Sequence, residues 1–225
     1  MIGILMLDTV FPRVKGDIGN PESFGFPVRY AVVPGATPQA IVCEDLRPWV
    51  DAFIAAGQGL VAGGCTGLTT TCGFLTLLRE EVAEACGVPV VSSALELVPG
   101  LLAAGEVPGI LTISAASLSA AHLAAGGVPE GTPVQGVDGG TFARAILGNE
   151  PALDLAASER ELVAGAERLC ADHPEVTVIV LECTNMPPHQ AAIEAATGRQ
   201  VVSILTAVDA LRARVEPRAP GVSSP

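Results

Sequence analysis

The sequence predicts an α/β protein built on parallel sheets with helices over both faces. Three observations carry this. Continuous runs of Val, Ile and Leu recur along the chain. Most are followed by apolar residues at helical spacing. Strands of that composition suit sheets buried on both sides. The 225 residues suit one large domain or two small lobes with a real core.

Each element follows in order. "IGILML" (2–7) reads as a buried strand. "FPRVKGDIGNPESFGFP" (11–27) is a long loop, dense in Gly and Pro, of the kind that often carries function. "VRYAVV" (28–33) is a second strand. Asp45 caps a helix over 46–57, with Pro48 in its first turn. "GLVAGG" (59–64) opens a strand region running to Thr69. A helix over 73–86 presents Phe74, Leu78, Val82 and Ala85 on one face, and "VPVVSS" (88–93) is the next strand. The second half continues with a helix at 94–104, a strand at 108–113 and a helix in "SLSAAHLAAGG". A strand at 132–137 and helices at 140–148 and 157–172 follow. The apolar strand "VTVIVLE" (176–182) precedes a helix at 187–197. A strand at 200–205 and a last helix to about 214 complete the core, and the tail 215–225 reads as disordered. The order of elements permits two similar lobes, with ligands beyond the carboxyl ends of the strands.

Composition narrows the function. The chain is 49% hydrophobic, yet holds one Trp, one Tyr and six Phe, so its core rests on aliphatic residues. A net charge of −12 repels phosphate backbones and argues against nucleic acid. Apolar runs are interrupted well short of the ~20 residues of a membrane span, and "MIGILMLD" lacks a basic flank and a cleavage site. The expectation is a cytoplasmic protein with reduced thiols. Six cysteines stand at 43, 65, 72, 86, 170 and 183 without C-x-x-C or zinc spacing.

Two of these thiols stand out. Cys72 in "TTTCGFL" and Cys183 in "LECTNMPPH" each lie between an apolar run and a helix. Thr70 or Thr71 can cap the first helix and Asn185 the second. A thiol facing unpaired helix N–H groups is expected to ionise more easily than a free one. The same N–H groups suit a substrate carboxylate, and Gly73 lets a ligand approach the backbone. Free cysteine is more often a small buried hydrophobe. That reading is preferred for Cys43, Cys86, Cys170 and Cys65, while for Cys72 and Cys183 function and packing weigh equally.

"TTTCGFL", "LECTNMPP", "GDIGNP" and the opening "IGILMLD" together resemble the cofactor-independent aspartate/glutamate racemase superfamily, which includes hydantoin racemases, maleate isomerases and arylmalonate decarboxylases. The resemblance spans most of the chain. It implies two pseudo-symmetric α/β lobes, each with a mainly parallel sheet flanked by helices, and an active site in the cleft between them. The lobes would be 1–93, completed by a C-terminal helix at 206–214, and 94–205. It implies one catalytic cysteine from each lobe, Cys72 and Cys183, acting as base and acid on opposite faces of a carbon α to a carboxylate or carbonyl. Thr71, Gly73, Thr184 and Asn185 would contact substrate or its enolate. By the same resemblance Thr112, Ser114 and Ala115 would help bind the substrate carboxylate, with helix capping by Ser114 or Ser117 as the plain alternative.

Asp8 would orient Cys72, bind an amino group or cap the loop. Asp17 would close over the cleft or serve as a turn residue, the latter preferred. His189 would assist Cys183, although a partly exposed helix residue is preferred; His122 and His173 read as structural or solvated. The amino-acid racemases generally place Asn-Thr after the first cysteine, where this chain has Gly73 and Phe74. "Cys-Thr-Asn" is nearer the maleate isomerases. The expected activity is a racemase or epimerase on a small carboxylic acid, amino acid or hydantoin-like compound, without a cofactor, in a homodimer. The alternatives are a related isomerase or decarboxylase, a lyase, and a non-catalytic binding protein.

Overall fold

Two four-stranded parallel sheets form the frame of the molecule, seen in a computed structural model that describes residues 1–216. The first holds β1 (Ile2–Leu7), β2 (Val28–Val33), β3 (Gly67–Thr70) and β4 (Val90–Val91) in the order β2-β1-β3-β4. The second holds β5 (Pro108–Thr112), β6 (Val134–Gly136), β7 (Val178–Leu181) and β8 (Gln200–Val202) in the matching order β6-β5-β7-β8. Leu5 pairs with Thr70 in one sheet and Leu111 with Leu181 in the other, so the central pairs share a register. The helices are α1 (Pro38–Val42), α2 (Val50–Ala62), α3 (Arg79–Cys86), α4 (Val98–Ala103), α5 (Ala120–Ala125), α6 (Thr141–Leu147), α7 (Leu155–Asp172), α8 (Gln190–Thr197) and α9 (Ile204–Val215).

The central strands are buried at every residue but Met6, because both faces are covered: Val178, Ile179, Val180 and Leu181 have no exposed surface. The last helix, α9, returns to the first sheet and buries Ile204, Ala207, Val208 and Leu211 with Ile2, Ile4 and Val91. Among the described residues no helix is long and apolar enough to cross a membrane.

Several boundaries differ from the expectation. Residues 59–62 end α2 rather than open a strand. Phe53, Gly57 and Leu60 share its buried face, and Gly64, with φ +92°, turns the chain into β3. Asp45 is not a helix cap: it accepts the Arg47 N–H at 2.9 Å ahead of a 3-10 turn at Arg47–Trp49 whose N-cap is Leu46, and the α-helix starts only at Val50. The segment after Cys72 begins as a 3-10 helix, Gly73–Leu78, before α3. Residues 204 and 205 belong to α9, because the Ser203 N–H turns to the Thr206 hydroxyl at 3.3 Å as the N-cap of that helix and stops β8. α1 was not foreseen; Thr37 caps it and Pro38 opens it. The expected tail lies, from 217 on, outside the described residues.

Candidate active site

The carboxyl ends of β1, β3, β5 and β7 converge on one narrow pocket between the two sheets. It encloses about 340 Å³, its open mouth included, and both Cys72 and Cys183 line it. Its wall is mostly apolar, with Leu7, Phe11, Pro38, Val42, Phe74 and Ile113 prominent; Arg13, Thr71, Glu182, Thr184 and Asn185 supply the polar groups.

Each cysteine stands two residues past a central strand, Cys72 after β3 and Cys183 after β7. Cys72 precedes the 3-10 segment with extended backbone and is its N-cap, without a side-chain cap. The expected caps are engaged elsewhere. The Thr71 hydroxyl accepts the Leu7 N–H at 3.0 Å, and the Thr70 hydroxyl meets the Cys72 and Ser92 carbonyls. The expected easy ionisation is also reversed. Burial, reinforced by the nearby Glu182, pushes the Cys72 thiol up to about 12, and the N–H groups of Phe74 and Leu75 and the Arg13 charge oppose this only in part. Removal from water outweighs a helix start this short.

Cys183 is likewise pushed well above its ordinary value, by burial first and then by Glu182, with the Asn185 N–H opposing. Cys72 adds a further push, which sets the two sulfurs in each other's field. The Cys183 thiol faces Asn185 Oδ1 at 3.7 Å. Asn185 is not a helix cap, since Met186 precedes the 3-10 turn Pro187–His189. Its amide instead donates to Asp17 Oδ2 at 2.6 Å. The Thr184 hydroxyl donates to the Thr71 carbonyl at 2.7 Å and joins the two cysteine segments. The donors expected to face an enolate are therefore largely committed within the protein.

The loop after β1 supplies what the motif reading missed. Arg13 is nearly buried, and its Nη1 donates to Asp17 at 3.0 and 3.3 Å. Its Nη2 donates to Thr9 Oγ1 at 3.0 Å, and its guanidinium lies over the Phe11 ring at 4.4 Å. Its buried Nε has no partner in the structure. The length of this loop points to function, but no residue-level signal in the sequence selects Arg13. Asp17, read as a turn residue, is buried and accepts from Arg13, Asn185 and the Gly19 N–H.

Glu182 is the second group missed, although a charge closing the apolar run "VTVIVLE" was a visible signal. It is fully buried. Its Oε2 accepts the Thr112 hydroxyl at 2.8 Å, and its Oε1 has no partner. Burial raises its carboxyl from 4.5 to about 7, against the Thr112 bond. Gly73 makes this placement possible: a Cβ there would collide with Glu182 Oε1 and lie 2.6 Å from the Glu182 carbonyl oxygen.

The remaining expected residues lie around this centre without lining the pocket. Asp8 accepts the Gly35 N–H at 2.9 Å, a loop-capping role. The Thr112 hydroxyl serves Glu182. Ser114 donates to Asp138 at 2.6 Å, and the Ala115 N–H donates to the same carboxylate at 3.0 Å. His189 is buried rather than partly exposed, because the 3-10 turn tucks it under α7, with Nδ1 3.5 Å from Glu159. His122 is buried edge-on to Phe74, and His173 stands exposed beside Glu175. Cys65 and Cys86 are buried and Cys170 is partly so, but Cys43 is exposed just after α1, and the packing reading fails for it.

The comparisons with known proteins fit this architecture. No family model matches the chain. Over 97–100% of its length it superposes on arylmalonate decarboxylase (TM-score 0.63, 17% identity, 94% of that chain) and on allantoin racemase from Pseudomonas fluorescens (TM-score 0.60, 17% identity, 100% of that chain). It is 30% identical over 222 residues to dimethylsulfoniopropionate lyase from Durusdinium sp. clade D, covering 92% of this chain and 72% of that protein. Against four dimethylsulfoniopropionate lyases of Emiliania huxleyi (strain CCMP1516) it is 27–29% identical and spans 44–66% of their length. The chain is an enzyme on the aspartate/glutamate racemase superfamily fold, and it belongs to the family of these dimethylsulfoniopropionate lyases.

Proposed function

We propose that this enzyme removes a proton from the carbon α to a carboxylate and expels a leaving group from the β carbon. Dimethylsulfoniopropionate, the substrate named for the relatives, is the expected substrate. The observation that carries this reading is the pairing of two thiols from the two sheets on one mostly apolar pocket beside a nearly buried arginine. A sulfonium has methyl groups and no N–H donors, so it suits apolar walls that offer few acceptors. The carboxylate end suits the free Arg13 Nε–H.

Cys72 is the better base. Two peptide N–H groups and the Arg13 charge favour its thiolate, against one peptide N–H at Cys183, which Asp17 further disfavours. In the elimination, the Cys72 thiolate takes the α-proton and the C–H electron pair forms the C=C bond. The C–S pair leaves with sulfur, and the products are acrylate, dimethyl sulfide and a Cys72 thiol that returns its proton to solvent. Thr71 and Gly73 shape the wall beside Cys72, while Thr184 and Asn185 hold Cys183 and the loop in place.

Racemisation is the second reading, favoured by the presence of a second thiol on the same pocket. The test is incubation with dimethylsulfoniopropionate, following dimethyl sulfide and acrylate, beside small chiral acids in deuterated water. Release of both products, lost in Cys72→Ser, supports elimination. Deuterium incorporation with inversion and no sulfide release overturns it in favour of racemisation.

A further inference from the structure

Among the described residues two acids are buried, and their surroundings differ. Asp17 is met by a guanidinium, an amide and a peptide N–H. Glu182 is met by one hydroxyl, from Thr112, on one oxygen. A buried carboxylate with a single hydrogen bond is costly, whereas the neutral acid is not. Because Thr112 donates to Oε2, a proton on the neutral acid sits on Oε1. That atom has no acceptor among the described residues. It lies over the Cα of Gly73, and both residues share the pocket wall with the two cysteines. A donor left unused on such a wall addresses whatever fills the pocket.

We propose that Glu182 works as a neutral acid whose Oε1–H is donated to a carboxylate oxygen of the bound substrate, where it holds the charge that develops as the α-proton leaves. This rests on the carboxylate-substrate reading above. The arrangement complements Arg13, which offers its Nε–H from the loop after β1, so the two oxygens of one carboxylate meet one donor from each lobe. The other ionisable groups around Glu182 are Cys72 and Cys183 on the cysteine segments, Arg13 and Asp17 on the loop after β1, and Glu96 beyond Ser93, where it takes the Ser92 and Ser93 N–H groups and lies 3.8 Å from Arg79. Among the described residues Arg13 is the one cation that lines the pocket. An incoming anion therefore strengthens the hold of Glu182 on its proton.

The test is calorimetric titration with acrylate or propionate, neither of which needs to react, in buffers of different ionisation heat between pH 6 and 8.5. Wild type takes up a fraction of a proton per ligand that rises towards one at pH 8, and affinity falls up to tenfold per pH unit above neutrality. Glu182→Gln presents an amide N–H at the same place while its carbonyl accepts from Thr112, and it binds with no proton uptake and little pH dependence. Glu182→Leu, checked for folding by thermal denaturation, binds at least tenfold more weakly at pH 6. Proton-neutral binding by wild type, uptake that persists in Glu182→Gln, or wild-type affinity in Glu182→Leu overturns the role of Glu182 alone. No carboxylate binding at any pH overturns the underlying reading with it.

Discussion

The two sheets are built alike, and the segments that follow β3 and β7 show where they part. Thr71 and Glu182 hold equivalent positions: each peptide N–H bonds back to the neighbouring central strand, Thr71 to Leu5 at 3.0 Å and Glu182 to Leu111 at 2.9 Å. Each is followed by the cysteine. In the first lobe the side chain is a hydroxyl that stays within its own sheet, accepting the Leu7 N–H at the end of the neighbouring β1. In the second it is a carboxyl that reaches over to Gly73 of the first lobe. One lobe supplies the carboxyl and the other the room for it. Near symmetry of backbone thus coexists with an unequal division of chemistry, and the thiols inherit that inequality.

The sharpest way to break the comparison is to remove each sulfur in turn. Cys72→Ser lowers the elimination rate by roughly 10²–10⁴-fold, the usual worth of a positioned base. Cys183→Ser costs clearly less if elimination is the reaction, and as much if the enzyme racemises. Rates of dimethyl sulfide release and of α-deuterium exchange with inversion, followed for both variants, decide between these.

Next comes acidity. The folded-state value for Glu182 is raised from 4.5 to about 7, so folding favours its protonated form. The stability tied to that proton is fully present below about pH 4.5 and is lost as pH rises through 7, on the order of 3 kcal/mol. Urea denaturation at pH 5 and pH 8 should show Glu182→Gln gaining on wild type by a large part of that amount at the higher pH. An equal difference at both values would mean that Glu182 does not titrate in this range.

Filling the space at Gly73 probes the other half of the comparison. Gly73→Ala presses on the Glu182 carboxyl and carbonyl and is expected to cost about 2 kcal/mol, relieved in part by adding Glu182→Ala. Additivity of the two changes would separate the residues energetically. The smallest effect belongs to Thr184→Val. It removes the 2.7 Å bond to the Thr71 carbonyl, and a loss of about 1 kcal/mol in unfolding free energy is expected.

Much of the frame was legible. Unbroken apolar runs such as 178–181 announce strands covered on both faces, and cysteines at strand ends mark the place where such sheets bind ligands. The failures are also physical. Residues 59–62 carry Leu, Val and Ala, which serve helix and strand alike, and the buried positions at Phe53, Gly57 and Leu60 decide the matter only once the sheet is present. The thiol acidities were misjudged because a sequence shows the helix start but not the loss of water. Arg13 and Asp17 lie in an irregular loop whose path no periodicity encodes. Glu182 was readable as an oddity, a charge ending an apolar strand, but its meaning depends on Gly73, more than a hundred residues away.

The loop that carries Arg13 is itself fastened to the opposite half of the molecule. Asn149 donates to the Asp8 carbonyl at 3.2 Å and accepts from the Val10 N–H at 2.8 Å, while Asn185 grips Asp17. Any swing that widened the gap between the halves would tug on these ties before it displaced either sulfur. Opening of the gap and displacement of the edge that carries Arg13 are therefore mechanically one event, and a change at Asn149, outside the pocket wall, is expected to be felt first as a difference in how quickly the site fills and empties.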